Sequence, residues 1–316
     1  FDRYETGQRM EISKALRRCS RPLVLMRMTM RDTLRLGTRG SALAVTQSQF
    51  VADALARANG VRVELVVIST RGDQIRDKPL LEIGGKGLFT AELEASLRTG
   101  GIDLAVHSLK DLPTENPRGL ILGDIPARVD PRDALVGRAL DDLAEGAVVA
   151  TGSVRRRMQM EMLRSDLDLV DIRGNVPTRI SRVDEGHCDA TILAMAGLMR
   201  LGISRSDVFP LSTAQMVPAP GQGALGVQCR ENDARVLGYL SQIDHPETRA
   251  CVAGERLFLE RFGGGCSVPA ACFIHAADEG FQVVAVAEIQ GGGRQRFEAS
   301  GASPSMLAEH ALAALR

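Results

Sequence analysis

A cysteine that follows three glycines is the residue of this sequence best suited to carry a covalently bound group. Gly263–Gly265 precede Cys266, and Ser267–Pro269 follow it. Glycines leave no side-chain bulk, so a large ligand can approach both the sulfur and the backbone. The alternative is a small buried thiol after the end of a helix, because free cysteines are commonly core residues. The residues alone leave both roles open.

A second group of reactive side chains lies in the segment His107–Pro113. The apolar run Ile102–His107 lies between turn residues and predicts a strand buried on both faces. Polar residues just beyond the carboxyl end of such a strand lie where open α/β sheets bind ligands. There, Asp111 can balance a developing cation and Lys110 can hold a substrate anion. Alternatively, Asp111 caps a turn before Pro113.

Arginines recur where predicted strands lead into helices. Backbone N–H groups at the start of a helix and nearby guanidinium groups can converge on one anion. A single arginine at such a junction is more often a solvated surface residue, but the repetition predicts a polyanionic ligand. The residues at these junctions are Arg39, Thr151, Ser153, Arg155, Arg156, Arg157, Arg173, Gly174 and Arg179.

The elements that must position these side chains alternate between strand and helix from Thr33 onwards. Val61–Thr70 alternates apolar and polar residues, whereas Ser41–Ala58 places its apolar residues on one helical stripe. Strands separated by helices predict a mostly parallel sheet covered on both faces. The alternation restarts after Pro131, so we expect two α/β domains with a cleft between them. Further predicted elements are the helices Leu88–Thr99, Ser153–Arg164, Val176–Glu185 and Glu247–Arg261 and the strands Leu34–Gly37, Ala147–Thr151, Leu169–Ile172 and Ala190–Ala194.

The domain limits follow from two changes in this pattern. Pro218–Gly223 interrupts the second α/β series and can return the chain to the first domain, and a different pattern begins at His245. The predicted regions are an extension at 1–29, a first α/β domain at 30–128 plus 221–243, a second α/β domain at 129–220, and a small α+β domain at 246–316 that carries Cys266.

Composition argues against two classes of protein. Lys+Arg and Asp+Glu both number 39, so no net basic field attracts nucleic acid, and aromatic stacking platforms are few, with no Trp and two Tyr. No apolar run approaches the roughly 20 residues needed to span a bilayer. The six cysteines show no C-x-x-C and no Cys/His spacing typical of zinc. We therefore predict no metal, no nucleic acid, no membrane contact and a reduced cytoplasmic protein.

The first 29 residues are rich in arginine and have little apolar periodicity. We predict an extension that is disordered or not native, with a natural start at Met26, Met28 or Met30. A basic organelle-targeting peptide is the alternative, although two glutamates in this stretch weaken it.

The strings that contain these candidate residues resemble, in order, the sequence blocks of the porphobilinogen deaminase family. The resemblance extends from about Leu34 to the carboxyl terminus. The order of VHSLKD, RGNVPTR and GGGCSVP is its most specific feature. The strings are LGTRGSALA, TRGD, GGKGLF, DLAVHSLKDLP, TGSVRRR, DIRGNVPTR, ILAMAGLMRLG, PAPGQGALG and GGGCSVPAA.

The resemblance implies an α/β fold of three domains, the first two resembling the lobes of type II periplasmic binding proteins and the third a small α+β domain. It implies a transferase, expected to be a monomer, that joins four molecules of porphobilinogen head to tail. Ammonia leaves at each step, and the product is 1-hydroxymethylbilane, a tetrapyrrole precursor. A dipyrromethane cofactor, linked through a thioether to Cys266, would be the primer.

The resemblance also assigns roles by position. Asp111 would be the catalytic carboxylate, which bonds pyrrole N–H groups and stabilises an azafulvenium cation. The implied cofactor-binding residues are Cys266, Lys110, Arg155, Arg156, Ser153, Thr151, Arg173 and Gly174. The implied substrate-binding residues are Arg39, Ser41, Gln47, Phe89, Arg179 and Arg200.

The main alternative to this enzyme is a non-catalytic, two-lobed protein that binds an anion or another solute, because that architecture is shared. Such a protein would not need Cys266.

Overall fold

The computed structural model describes residues 33–70, 72, 90–263, 268–289, 291 and 293–316, which form one compact unit from Thr33 to Arg316. The predicted extension at 1–29, together with Phe89 and Cys266, lies outside the described residues. Within these ranges no helix is long and apolar enough to cross a membrane.

The first lobe is built on a five-stranded sheet whose strands form the predicted α/β series. Strands β1, β2 and β3 are parallel, whereas β10, which comes from much later in the chain, lies antiparallel between β3 and β4. In spatial order the strands are β2 (Arg62–Val67), β1 (Thr33–Thr38), β3 (Leu104–Ser108), β10 (Leu225–Arg230) and β4 (Leu120–Asp124).

The second lobe repeats this arrangement. Three strands are parallel, and the antiparallel strand β5 again occupies the fourth position. In spatial order the strands are β7 (Asp168–Val170), β6 (Val148–Ala150), β8 (Ala190–Ala194), β5 (Asp133–Val136) and β9 (Val208–Pro210). The two lobes, each covered by helices, give the fold of type II periplasmic binding proteins.

Two segments cross between the lobes, residues 125–132 on the way out and residues 211–224 on the way back. They touch where the N–H of Val129 donates to the carbonyl of Gly223 (3.3 Å). Gly223 has φ +86, and a Cβ there would lie 2.6 Å from the Val129 carbonyl. Only glycine therefore permits this approach.

The residue limits predicted for the domains stay a prediction.

The helices begin close to the predicted junctions because side chains cap them. Ser41, Ser153 and Asn175 each accept a hydrogen bond from a backbone N–H in the first turn of the following helix. The helices are α1 (Ala42–Asn59), α2 (Ala91–Arg98), α3 (Val154–Leu163), α4 (Val176–Asp184), α5 (Met195–Arg200), α6 (Ala234–Leu240), α7 (Pro246–Phe262) and α8 (Pro304–Ala314). Short 3-10 helices occur at Leu109–Asp111 and Leu140–Asp142.

The third domain is a three-stranded antiparallel sheet packed against α7 and α8. Phe258 of α7 and Leu312 of α8 are buried against the apolar face of the sheet, around Ile274. Its strands are β11 (Ala270–Ala276), β12 (Phe281–Glu288) and β13 (Arg294–Gly301). The small α+β domain predicted at the carboxyl end is therefore present.

A buried ion pair holds the third domain against both crossing segments. Glu255 of α7 is 0% exposed and receives Nη1 and Nη2 of Arg128 at 2.7 and 2.9 Å. The same carboxylate accepts the N–H groups of Gly221 (2.7 Å) and Ile274 (2.9 Å). Residues from four separate stretches of the chain therefore meet on one carboxylate.

A second buried carboxyl group lies where β4 meets the segment before α7. Asp124 is 0% exposed, and neither of its oxygens receives a hydrogen bond from a described donor. Burial, followed by the neighbouring Asp244, raises the pKa of Asp124 to about 8. Asp244 accepts from Arg249 Nε and from the Ile125 N–H at 3.0 Å each. A protonated Asp124 can therefore donate to an ionised Asp244.

This pair predicts a pH-dependent loss of stability. The pKa of Asp124 in the folded chain lies above its unfolded value, so its contribution is complete below about pH 4 and is lost as the pH rises towards 8. The full change is about 6 kcal/mol at most. Asp124→Asn should remove it, and urea unfolding from pH 4 to 9 should show the wild type losing stability relative to the variant. Asp142→Asn, at an exposed position, is the control. Parallel profiles for wild type and Asp124→Asn would contradict the prediction.

Candidate active site between the lobes

Lys110 and Asp111 lie on a short 3-10 helix that directly follows β3. The buried side chains of Leu109 and Leu112 pack with Ile125, and the Leu109 N–H donates to a crossing segment. Asp111 itself is exposed and accepts no hydrogen bond from any described residue. The alternative role as a turn cap is therefore not observed, and the carboxylate is available to a ligand.

Lys110 faces the second lobe through a glutamine. Its Nζ donates to Oε1 of Gln222 (3.4 Å), and Nε2 of Gln222 donates to Oδ1 of Asp133 (3.0 Å). Burial lowers the pKa of Lys110, against the opposing effect of Asp111. The sequence analysis did not identify Gln222, although its place between two glycines in PAPGQG was a signal of close packing.

Two predicted cofactor-binding arginines share a carboxylate that the sequence analysis did not identify. Asp133 receives Arg155 Nη2 at 2.8 Å and Arg156 Nη2 at 2.7 Å. Arg156 Nε also donates to Asp133 Oδ1 (3.1 Å), and the Nη1 atoms donate to backbone, from Arg155 to the Val217 carbonyl and from Arg156 to the Ile192 carbonyl, each at 2.6 Å. Burial raises the pKa of Asp133, but the two arginines outweigh it, so the net shift is downward. Cofactor binding by these arginines stays a prediction.

Arg179 is a half-buried cation that pairs with no carboxylate among the described residues. Its Nε donates to the carbonyl of Gly174 (2.9 Å), and it forms no salt bridge within the described ranges. Burial, followed by Arg156 and opposed by Asp111, lowers the pKa of Arg179 to about 10. Arg173 is exposed beside it and lowers that pKa further. An anionic ligand would relieve this excess of positive charge.

Two predicted hydroxyl groups lie at the start of α3. Ser153 Oγ accepts the Arg156 N–H (3.4 Å), and Thr151 Oγ1 accepts the Ser153 N–H (3.3 Å). Both hydroxyls thus hold the loop that leads into this cationic helix.

Two of the predicted substrate residues of the first lobe, Gln47 and Arg39, lie near the end of β3. Gln47 Nε2 donates to Ser108 Oγ at 2.8 Å, and Ser41 caps α1. Burial lowers the pKa of His107 to about 4, and the charge of Arg39 contributes to this shift. Arg39 is therefore close to the strand that leads to Asp111.

Arg200 lies at the return crossing. Its Nη2 donates to the Gly223 carbonyl (2.8 Å), and burial lowers the pKa of Arg200 to about 10. A contact with substrate stays a prediction for this residue. The proposed attachment point Cys266 comes between the end of α7 and the start of β11 in the sequence. Both Cys266 and Phe89 are outside the described residues.

The arrangement brings one exposed carboxylate together with cations from both lobes. The charges of Asp111 and Arg156 both affect the pKa of Lys110 and the pKa of Arg179. Such a site fits a ligand that carries several carboxylates and develops positive charge during reaction.

Comparison with known proteins identifies the family. The family model described as "Porphobilinogen deaminase, dipyromethane cofactor binding domain" matches residues 34–238. A porphobilinogen deaminase of Syntrophotalea carbinolica is 47% identical over 266 residues, covering 83% of this chain and 84% of the relative. One of Roseiflexus castenholzii is 49% identical over 244 residues, covering 76% and 80%.

Among solved structures, the methionine-binding protein MetQ is 14% identical with a TM-score of 0.42, covering 69% of this chain and 92% of its own. The fold is defined by the strand orders of the two lobes described above. The family model and the two relatives show that the chain belongs to the porphobilinogen deaminase family.

Proposed function

We propose that the chain is a transferase that joins four molecules of porphobilinogen head to tail, releases ammonia at each step and yields 1-hydroxymethylbilane. Family membership supports the reaction. The observation that carries the site assignment is the exposed Asp111 carboxylate, whose charge acts on Arg179, a half-buried cation with no carboxylate partner among the described residues. On a pyrrole that bears acidic side chains, the ring N–H would complement Asp111 and a carboxylate would complement Arg179.

The described residues fit a dipyrromethane cofactor, which is itself acidic. The positive charges of Arg179 and of Arg173 beside it, together with the hydroxyl of Ser153 at the start of α3, would hold its acetate and propionate groups. Cys266 would bind it through a thioether, for which the sulfur must be deprotonated as it attacks. When bound, the cofactor supplies the primer pyrrole that is lengthened.

Asp111 would act on the incoming substrate. A carboxylate at the end of β3 can accept a hydrogen bond from a pyrrole N–H, and it can offset the positive charge that develops as the aminomethyl group leaves as ammonia. Because it is anchored by the buried Leu109 and Leu112, it meets that charge without reorganising. The carboxylate therefore favours the transition state over the bound substrate.

The cations of both lobes would divide the substrate's carboxylates among themselves. Each added ring brings two carboxylates, so a growing chain needs several cations within one cleft, and the guanidinium fork suits carboxylates. The candidates, with Lys110, are Arg39, Arg155, Arg156, Arg173, Arg179 and Arg200, and Ser41, Gln47, Thr151, Gly174 and Phe89 would line the same site.

A solute-binding protein of the same architecture is the weaker candidate, because the relatives that cover most of the chain are named as deaminases. Porphobilinogen as the small-molecule partner follows from the proposal. The monomeric state, the absence of nucleic-acid and membrane partners and the cytoplasmic location stay predictions.

The cofactor proposal predicts a covalent adduct. Protein purified from cells that make porphobilinogen should exceed its sequence mass by one dipyrromethane, measured by intact-mass spectrometry. Cys266→Ser should lack the adduct, whereas Cys188→Ser, which alters a buried thiol elsewhere, should keep it. A wild-type protein at its unmodified sequence mass would contradict the attachment.

The role of Asp111 predicts a loss of turnover without a loss of stability. Asp111→Asn should lower kcat by about 10²–10³-fold, as removal of a charge-stabilising group does. Its melting temperature should stay within about 2 °C of wild type, because the side chain is exposed and has no described hydrogen bond. Glu115→Gln, an exposed acid four residues further on, is the matched control. Near-normal kcat in Asp111→Asn would remove it from this role.

Two arginines of the second lobe should differ in what their loss affects. Arg156→Leu leaves buried Asp133 with fewer partners, so urea unfolding should show a loss of about 3–5 kcal/mol. Arg179→Leu should keep its stability but stall elongation, leaving a shorter ladder of covalent pyrrole intermediates on mixing with limiting porphobilinogen. Arg182→Leu, exposed on the same helix, should match wild type in both assays. A wild-type ladder for Arg179→Leu would contradict its assigned role.

A further inference from the structure

An arginine of the third domain binds the loop that follows Asp111. Arg256 on α7 donates through Nη1 to the carbonyl of Leu112 (3.1 Å) and through Nη2 to those of Pro113 (2.7 Å) and Thr114 (3.1 Å). These are the three residues immediately after Asp111. One guanidinium therefore gathers three consecutive carbonyls of the loop.

These carbonyls belong to neither a helix nor a strand. The 3-10 helix ends at Asp111, and β4 begins only at Leu120. Without Arg256, the carbonyls of this segment would have to find water or another donor. The guanidinium, with its several donors in one plane, can bind all three in a fixed arrangement.

The position of Arg256 is itself fixed. The preceding residue, Glu255, is held by Arg128 and two backbone N–H groups, so this turn of α7 cannot shift freely. Burial lowers the pKa of Arg256, against the effect of Glu260, and within the described ranges it forms no salt bridge. A desolvated arginine whose side-chain hydrogen bonds all go to backbone carbonyls of one loop indicates a role in holding that backbone.

The loop has a second, apolar attachment to the same helix. Leu112 is buried in a cluster with Val252, one helical turn before Arg256. Loss of the guanidinium should therefore leave the loop attached through Leu112 but free to change the direction of the backbone on either side of it. Asp111, the adjacent residue, would move with that backbone.

We propose that Arg256 is a positioning residue for the Asp111 carboxylate, acting from the third domain through the carbonyls of residues 112–114. This inference rests on the proposed function of Asp111. It also means that a single helix, α7, orients the catalytic loop and leads into the segment that contains Cys266.

The proposal predicts a specific kinetic pattern. Misplacing a reacting group by about 1 Å can lower the rate by about 100-fold. Arg256→Met should therefore lower kcat by about 10- to 100-fold with KM changed less than about threefold, because the cations proposed to bind substrate are elsewhere. Arg256→Lys, which keeps the charge but loses the fork, should lie between wild type and Arg256→Met.

The test compares holoenzymes whose adduct on Cys266 has been verified by mass, using single-turnover release of ammonia from porphobilinogen. If Arg256 acts through Asp111, the double variant Asp111→Asn/Arg256→Met should be no slower than Asp111→Asn alone, within about twofold. Arg261→Met, an exposed arginine on the same helix paired with Glu309, is the control. A fully additive double variant would show a merely structural role and overturn the inference.

The outcomes separate this inference from the proposed function. If Asp111→Asn keeps a normal rate, the role of Asp111 itself is wrong. If Asp111→Asn is slow but Arg256→Met keeps a wild-type kcat, or raises KM alone, only the positioning role is wrong. Should Arg256→Met fail to fold, the double variant with Arg256→Lys gives the same test of additivity.

Discussion

The structure depends on the burial of one carboxylate, Glu255, whose two oxygens accept four hydrogen bonds. An ion buried without partners costs several kcal/mol, so the arrangement is stable only when every donor is in place. Its donors come from the outward crossing, the return crossing and the third sheet. Arg128 extends the connection, since its Nε donates to the Gln222 carbonyl (2.7 Å) and its guanidinium lies 4.9 Å from the centre of the Phe273 ring.

A continuous series of polar contacts connects the Glu255–Arg128 ion pair to the candidate active site. Gln222, held through its backbone by Arg128, joins Lys110 of the first lobe to Asp133 of the second. Asp133 in turn forms salt bridges with Arg155 and Arg156, which are the most deeply buried of the predicted cations. One carboxylate offsets only one of these two positive charges, so the site keeps an excess of positive charge, to which the less buried Arg179 adds.

Local sequence patterns predicted the elements well and their connections less well. The strand Ala190–Ala194 was predicted with its observed bounds, and the helix Val176–Glu185 differs from α4 by one residue, because apolar period and capping residues are local signals. The antiparallel insertion of β5 and β10 was not predicted, since strand order depends on contacts between residues far apart in the chain.

The same limit applies to the site. Asp111 and the arginines at strand-to-helix junctions could be proposed as candidates because each lies in a short segment directly after a recognisable strand. Asp133 and Arg256 could not, because their partners lie 22 or more residues away and neither occupies a recognisable motif. An isolated Asp or Arg is most often a solvated surface residue, so only the folded chain distinguishes these two.

The place of β10 in the first sheet also determines the order in which the chain can be completed as it is synthesised. This strand lies between β3 and β4, yet it follows the whole second lobe in the chain. Until residues 225–230 leave the ribosome, β3 has an open edge and β4 has no neighbour in the sheet. The second lobe, whose strands are contiguous in the chain, can close first. Nascent chains that stop before Leu225 therefore expose unpaired strand edges, which are the surfaces that chaperones must protect and on which aggregation begins.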